Sequence, residues 1–213
     1  VTGVQTCALP IWNNTSDTVA GASIFKAASD SKLAAVGFYA MSENTEYTIR
    51  VYTDCGVYPD TGTCVYGGTQ GQAPYKGYVT IPLPCEIPLK RGSQFSVIVE
   101  LRSPGYGYPI AYAVSENWNW ITVTAAATEG KTFYRNVSRN GAWFDFAAKV
   151  DASASFCCAA YVRETKGDDP QNNAMEATTW DAACLVDWYA QIDNTVSGNL
   201  QFGKITENTL VVL

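Results

Sequence analysis

The sequence contains no histidine among its 213 residues. That absence removes several chemistries at once. A papain-type thiolate needs a neighbouring imidazole to stabilise it and to protonate the leaving group. Ser-His-Asp triads and HExxH zinc sites fail for the same reason. A Cys-His protease site cannot be assembled from these residues, and the chain reads as non-catalytic. Charge is scarce too: charged residues make up 16% of the chain and the net charge is −6. The largest basic cluster is Lys90-Arg91. Counterion release from phosphates needs a basic patch, so nucleic acid is excluded as a partner. No apolar run approaches the roughly 18–20 residues of a membrane span.

What is present is apolar and aromatic. The hydrophobic share is 47%, with 13 Tyr and 6 Trp, a composition common in extracellular β proteins that use aromatic surfaces. The stretch KGYVTIPLPCEIPLKRGSQFSVIVEL, Lys76 to Leu101, carries the clearest pattern. Phe95, Val97, Val99 and Leu101 alternate with Gln94, Ser96, Ile98 and Glu100, the period of a strand with one strongly buried face. Gly92 marks the turn before it, and Lys90-Arg91 keeps that turn in solvent. Upstream, Tyr78, Thr80 and Pro82 interleave with Val79, Ile81 and Leu83. Pro82, Pro84 and Pro88 cannot donate ladder hydrogen bonds, so this run is expected at an edge or with a bulge. Two such elements with no helical period between them point to an all-β, antiparallel β-sandwich.

These residues also carry a resemblance. The order YKGYVTIPL…IPLKRGSQFSVIVEL, preceded by KLAAVGFYAMSENTEYTIRVYTD and followed by PIAYA, resembles the lectin-like domain attached to bacterial papain-family cysteine peptidases. ASIFKA at 22–27, GKTFYR at 130–135, GAWFDF at 141–146 and SFCCAAYV at 155–162 fit in the same order. The resemblance implies a jelly-roll or lectin-like sandwich over residues 22–166, extracellular or at the cell surface. It implies an accessory role beside an upstream peptidase domain, with cell-wall or host glycans as partners and calcium as a cofactor of some members.

Taken in order, the chain opens on VTGVQTCALPI, which looks like the translation of a sequencing-library adapter joined to a real reading frame at about Trp12. It lacks the basic n-region and the unbroken apolar core of roughly 7–15 residues that a signal peptide needs. Residues 1–11, with Cys7, are therefore set apart from the fold, and the chain is expected to be a metagenomic fragment whose protease lay upstream. Residues 12–21 read as a linker. Strands follow at 22–27, Lys32–Met41 and Glu46–Asp54, with Val36, Phe38 and Ala40 on one face and Tyr47, Ile49 and Val51 on another.

Cys55 and Cys64 bracket GVYPDTGT, a turn cluster. A disulfide here would close a loop worth roughly 2.5–3 kcal/mol on the chain-entropy account; two free thiols are the alternative. Neither cysteine has the CxxC spacing of a zinc site. Of the adjacent Cys157 and Cys158, at least one is expected to be a small buried hydrophobe.

The segment 103–120, SPGYGYPIAYAVSENWNW, is the candidate binding region. Tyr106 and Tyr108 lie in a Gly/Pro loop. Trp118 and Trp120 flank Asn119, so in extended backbone both rings point the same way, beside Asn117 and Glu116. A flat aromatic platform with amide and carboxylate neighbours suits a sugar, whose C–H face stacks while its hydroxyls hydrogen-bond. The competing reading makes the tryptophans a plug at the end of the sandwich. Glu43, Glu46, Glu100 and Glu116 could supply a glycosidase pair, but only if two of them sit about 5–10 Å apart across a sugar. Asp54 and Asp60 are the oxygen ligands available to a metal.

After Lys166 the character changes. Gly167-Asp168-Asp169-Pro170 is a breaker. Met175, Trp180, Cys184, Leu185 and Trp188 recur at helical spacing over about 172–191, and strand-like runs close the chain at Asn199–Ile205 and Thr209–Leu213. Residues 167–213 thus read as a C-terminal helix and a short strand-like tail. The leading functional reading is a carbohydrate-binding accessory domain; a ligand-free spacer and an independent glycoside hydrolase are the alternatives.

Overall fold

The computed structural model describes residues 17–118, 121–164 and 210–212. In chain order its strands are β1 (Thr18–Lys26), β2 (Ser31–Ala40), β3 (Thr45–Thr53), β4 (Thr63–Ala73), β5 (Gly77–Leu89), β6 (Gln94–Arg102) and β7 (Tyr112–Ala113). There follow β8 (Glu116–Trp118), β9 (Ile121–Val123), β10 (Thr132–Asn136), β11 (Phe144–Asp145), β12 (Ser155–Phe156), β13 (Cys158–Glu164) and β14 (Leu210–Val212). The single helix among the described residues is α1, Phe146–Lys149.

These strands build two main sheets, one six-stranded in the order β11-β10-β1-β6-β3-β4 and one four-stranded in the order β14-β13-β2-β5. Short ladders β12-β7 and β8-β9 complete the set. All pairings are antiparallel except β13 with β14. The architecture is the expected sandwich.

The core lies between the sheets. Phe95, Val97, Val99 and Leu101 of β6 enter it, as do Ile49 and Val51 of β3. The facing sheet sends in Leu33, Val36 and Phe38 from β2 and Leu83, Ile87 and Leu89 from β5. Phe38 meets Tyr47 edge-on across the gap at 5.4 Å. Aromatic pairs at such distances add about 0.5–1.5 kcal/mol to the burial of their area. The proline-rich β5 is an edge strand, and its pairing with β2 shifts register between Leu33 and Ala35. That is how a strand with missing donors stays in a sheet.

The turn at Lys90–Gly92 is an arch between sheets, not a hairpin, since β5 pairs with β2 while β6 pairs with β1 and β3. Gly92 has φ +82°, a conformation that favours glycine, and its N–H donates to Ala27 O at 2.8 Å.

Two boundaries differ from expectation. β1 begins at Thr18, inside the stretch read as linker. Its small residues serve close packing: the Phe156 ring lies so near Gly21 that a Cβ there would stand 2.5 Å from it. β4, TCVYGGTQGQA, carried no strand signal, because an edge strand exposed along most of its length needs no apolar alternation. The helix expected at about 172–191 and the run Asn199–Ile205 lie outside the described residues, as do Val1–Ile11. Among the described residues no helix is long and apolar enough to cross a membrane.

The outward face of the six-stranded sheet holds a second, smaller cluster of Ala20, Ala22, Ile24, Cys55, Ile98 and Phe133. The 54–62 loop covers it. Tyr58 packs edge-on against Phe133 at 6.1 Å, and Ser96 Oγ donates to Pro59 O. Arg135 binds Asp60 at 3.2 Å while its guanidinium sits 4.4 Å over the Trp143 ring.

Candidate functional site

Ser103-Pro104-Gly105-Tyr106 closes a β-turn in which Tyr106 N–H donates to Ser103 O at 2.9 Å. Gly105 has φ +75°, and proline followed by a positive-φ glycine is the signature of a type II turn. The turn is pinned at its base. The Ser103 hydroxyl lies 3.0 Å from Thr45 Oγ1 in a buried contact, and Ser103 N–H donates to Asp17 O at 2.8 Å. The segment that leaves this turn carries Tyr108, Pro109 and Ile110 onto the end of the sandwich.

There they meet α1. Asp145 caps its first turn, one carboxylate oxygen accepting from Ala147 N–H at 2.9 Å and Ala148 N–H at 3.3 Å. The other oxygen accepts from Gly130 N–H. This clamp fixes Phe144 and Phe146. Phe146 is 2% exposed, stacks on Tyr112 at 5.4 Å and meets Tyr134 edge-on at 6.2 Å. Val19, Tyr108, Pro109, Ile110, Tyr134, Phe144, Phe146 and Val150 together line a small hollow of ≈ 10 Å³, room for about one water molecule. Tyr106 stands edge-on to Tyr108, centroids 5.9 Å apart.

The lining is mostly apolar and includes Tyr108 and Tyr134. Burial pushes the Tyr134 phenol up to about 12, so it keeps its proton throughout the neutral range. The hollow itself is too small for a ring, so a ligand here would lie across its mouth; its lining holds no nucleophile paired with a base.

The β8–β9 hairpin is anchored to the same neighbourhood. Ser115 N–H, one residue before β8, donates to Ser153 Oγ at 2.9 Å, three residues beyond Val150. Ser115 Oγ exchanges hydrogen bonds with Ala125, donating to its carbonyl and accepting from its N–H. Asp151 accepts from the Ser153 hydroxyl and N–H, which lowers the Asp151 carboxyl below its usual range. Asn117 is exposed and accepts from Thr122 Oγ1 at 3.0 Å across the hairpin. Trp118 ends β8; its side chain, and Trp120 altogether, lie outside the described residues.

The structure thus places Tyr108 in the lining of the hollow with Tyr106 against it, and ties Asn117 to Thr122 across the β8–β9 hairpin. Sequence reasoning missed Tyr134, Phe144 and Phe146. They lay in segments recognised only as strand signatures, and nothing in one dimension brings residue 108 to residue 146.

Two of the four candidate glutamates are held in ion pairs. Glu46 is engaged by Arg102 at 2.9 Å and Glu100 by Arg50 at 3.0 Å, both across the β3–β6 ladder. Asp54 and Asp60 join no cluster of acidic side chains among the described residues. Asp60 is bound to Arg135, and among the described residues no three His, Cys, Asp or Glu side chains gather closely enough to hold a metal.

The expected Cys55–Cys64 disulfide is not formed; both are free thiols. Cys55 turns into the outward apolar cluster, where burial raises its thiol. Cys64 is exposed on β4, in register with Tyr52. Of the adjacent pair, Cys158 is the small hydrophobe: it packs against the main core, and burial pushes its thiol up to about 12.

Three comparisons bear on this site. A family model described as the lectin like domain matches residues 7–162. The crystal structure of the cysteine protease and lectin-like domains of Cwp84, a surface layer associated protein of Clostridium difficile, is 19% identical. It superposes with a TM-score of 0.53 over 67% of this chain and 31% of that one. The clostridial cysteine protease Cwp84 after propeptide cleavage is 18% identical, with a TM-score of 0.53 over 67% of this chain and 35% of that one. This chain therefore spans about a third of the length of those two solved chains. No curated protein matches the sequence.

Proposed function

The chain belongs to the lectin-like domain family, and from that premise we propose that it is the carbohydrate-binding accessory domain of an extracellular, cell-surface bacterial papain-family cysteine peptidase. Its own residues correspond to the lectin-like portion of such a protein and not to the protease. Its partners are the peptidase domain and a cell-wall or host glycan. The observation that carries the reading is the hollow at the end of the sandwich, where Tyr108 and Tyr134 border an apolar floor.

A sugar ring lays its C–H face across the mouth of that hollow, against the tyrosine rings, while phenol hydroxyls meet its oxygens. Tyr106, Tyr108 and the hairpin residues Asn117, Trp118 and Trp120 are the contacts proposed. The test is a glycan array probed with the full chain, followed by titration of Tyr108→Ala and Trp118→Ala against the strongest hit. Each is expected to weaken binding by at least about tenfold, or 1.4 kcal/mol. Unchanged affinity in both variants would move the sugar elsewhere.

A second reading is supported by the same lining. Pro109, Ile110, Phe144, Phe146 and Val150 are apolar, and an apolar mouth also suits a side chain of the neighbouring peptidase domain. In that case the domain is a spacer, the array stays blank, and adding the separate peptidase domain protects the hollow from hydrogen exchange.

A further inference from the structure

We propose that the sandwich interior binds one ordered water molecule between the hydroxyls of Ser23 and Thr132, and that this water joins β1 to β10. The site lies apart from the hollow and does not depend on a sugar.

The two residues face each other across the ladder. Ser23 of β1 is in register with Thr132 of β10. At the next position Ile24 N–H donates to Lys131 O at 2.8 Å. Hydrogen-bonded and non-hydrogen-bonded pairs alternate along an antiparallel ladder. Ser23 and Thr132 therefore form a non-hydrogen-bonded pair, the kind in which Cα atoms stand about 4.5 Å apart and side chains come closest.

Both point inward. On β1, Val19 and Phe25 belong to the core between the sheets, while Ala20, Ala22 and Ile24 belong to the outward cluster. Ser23 alternates with the first set. On β10, Phe133 joins the outward cluster and Tyr134 packs against the core, which turns Thr132 inward as well.

Both residues are 0% exposed, and neither hydroxyl has a hydrogen-bond partner among the described residues. Their surroundings offer little else that is polar. On its other side Ser23 is in register with Val97 of β6. Two residues along β1, Phe25 stacks on Phe95; two residues back, the Phe156 ring lies against Gly21.

A buried hydroxyl without a partner forfeits the hydrogen bond it makes with water in the unfolded chain. The pair cannot recover this alone: two hydroxyls bonded to each other spend one proton and leave the other without an acceptor. A single water can accept both protons, or accept one and donate to the other oxygen. Buried waters collect at such groups for that reason. Tyr134, in the lining of the hollow, is two residues further on the same face of β10, so the water braces the strand that forms one wall of the hollow.

The experiment looks for the water in the full chain and then removes its anchors. A crystal structure is expected to show one water about 2.5–3.0 Å from both oxygens, and water–protein NOE spectra a long-lived water at the Thr132 methyl. Ser23→Ala and Thr132→Val should each lower the folding equilibrium constant about tenfold. The double variant should lose little more than either alone, because the water leaves with its first anchor. Thr132→Ser, which keeps the hydroxyl, should keep the water.

No density and no NOE at this position overturn the site, as does a direct Ser23–Thr132 hydrogen bond with no water beside it. Apolar variants more stable than the parent overturn it too, since they would be relieving hydroxyls that had no partner at all. Where a variant fails to fold, the density and NOE of the parent chain still decide.

Discussion

Aromatic rings leave the core at two places, and they do so differently. At the end of the sandwich, Phe146 and Tyr112 belong to the core and line or border a hollow that opens beside them. On the four-stranded sheet, Tyr78 lies outside the core, over a glycine, tied to a second phenol. At the hollow, Phe146 is a core side chain, so a substitution there acts on the fold first. On the sheet face, Tyr78 is outside the core but tied to the fold by its hydroxyl, so a substitution there is expected to cost one hydrogen bond and not a packed ring.

The largest effect expected from this contrast is in the hollow. Phe146→Ala should destabilise the chain by about 3–5 kcal/mol, the range for Phe→Ala in a packed core, as read by chemical denaturation. A loss below about 1 kcal/mol would show that the hollow is a surface feature like the sheet face.

An intermediate effect is expected at alkaline pH. Burial raises the phenols of both regions, Tyr134 to about 12 and Tyr78 in the same direction. Each stays protonated in the fold at a pH where the unfolded chain, with its pKa near about 10, has lost the proton. Stability from this source is complete below about pH 10 and declines as pH rises toward the folded value. Melts across that range should steepen downward, and Tyr134→Phe should remove part of the slope; an unchanged slope would mean that Tyr134 is not buried.

Tyr78→Phe should cost about 0.5–1.5 kcal/mol, the net worth of one hydrogen bond, with the fold otherwise intact. The smallest change is expected from Cys64→Ser, within about 0.5 kcal/mol, because an exposed free thiol supports nothing. A loss of about 2–4 kcal/mol, with both thiols resisting alkylation, would show instead a disulfide to Cys55.

What the sequence made legible followed from period. The alternation in β6 placed Phe95 through Leu101 in the core, and the prolines of β5 put it at an edge. Local chemistry was legible too: Ser103-Pro104-Gly105 marked the turn that carries Tyr106 and Tyr108. Illegible were the features that depend on lateral neighbours. Gly37, Tyr78 and Tyr161 are far apart in the chain and read as three unremarkable strand residues until β2, β5 and β13 lie side by side. β4 was invisible because its exposure removes the pattern that marks a strand. The Cys55–Cys64 spacing suggested a bond, but spacing does not reveal that one thiol turns inward to Ile98 while the other stays on the surface.

The order in which strands are dealt to the two sheets has a consequence for how the chain reaches this state. β1 and β3 enter one sheet, β2 and β5 the other, and β6 returns to the first. β1 pairs along its length with β6 and again with β10, joining Val19 to Asn136. Neither sheet can be finished before the other is well advanced, and β1 waits for β6 and β10. Long loops must therefore close before their contacts reward them, which sets folding on the millisecond-to-second scale of sandwich proteins. Until β10 and β6 arrive, the apolar residues of β1 stay uncovered, so mispairing is most open at β1.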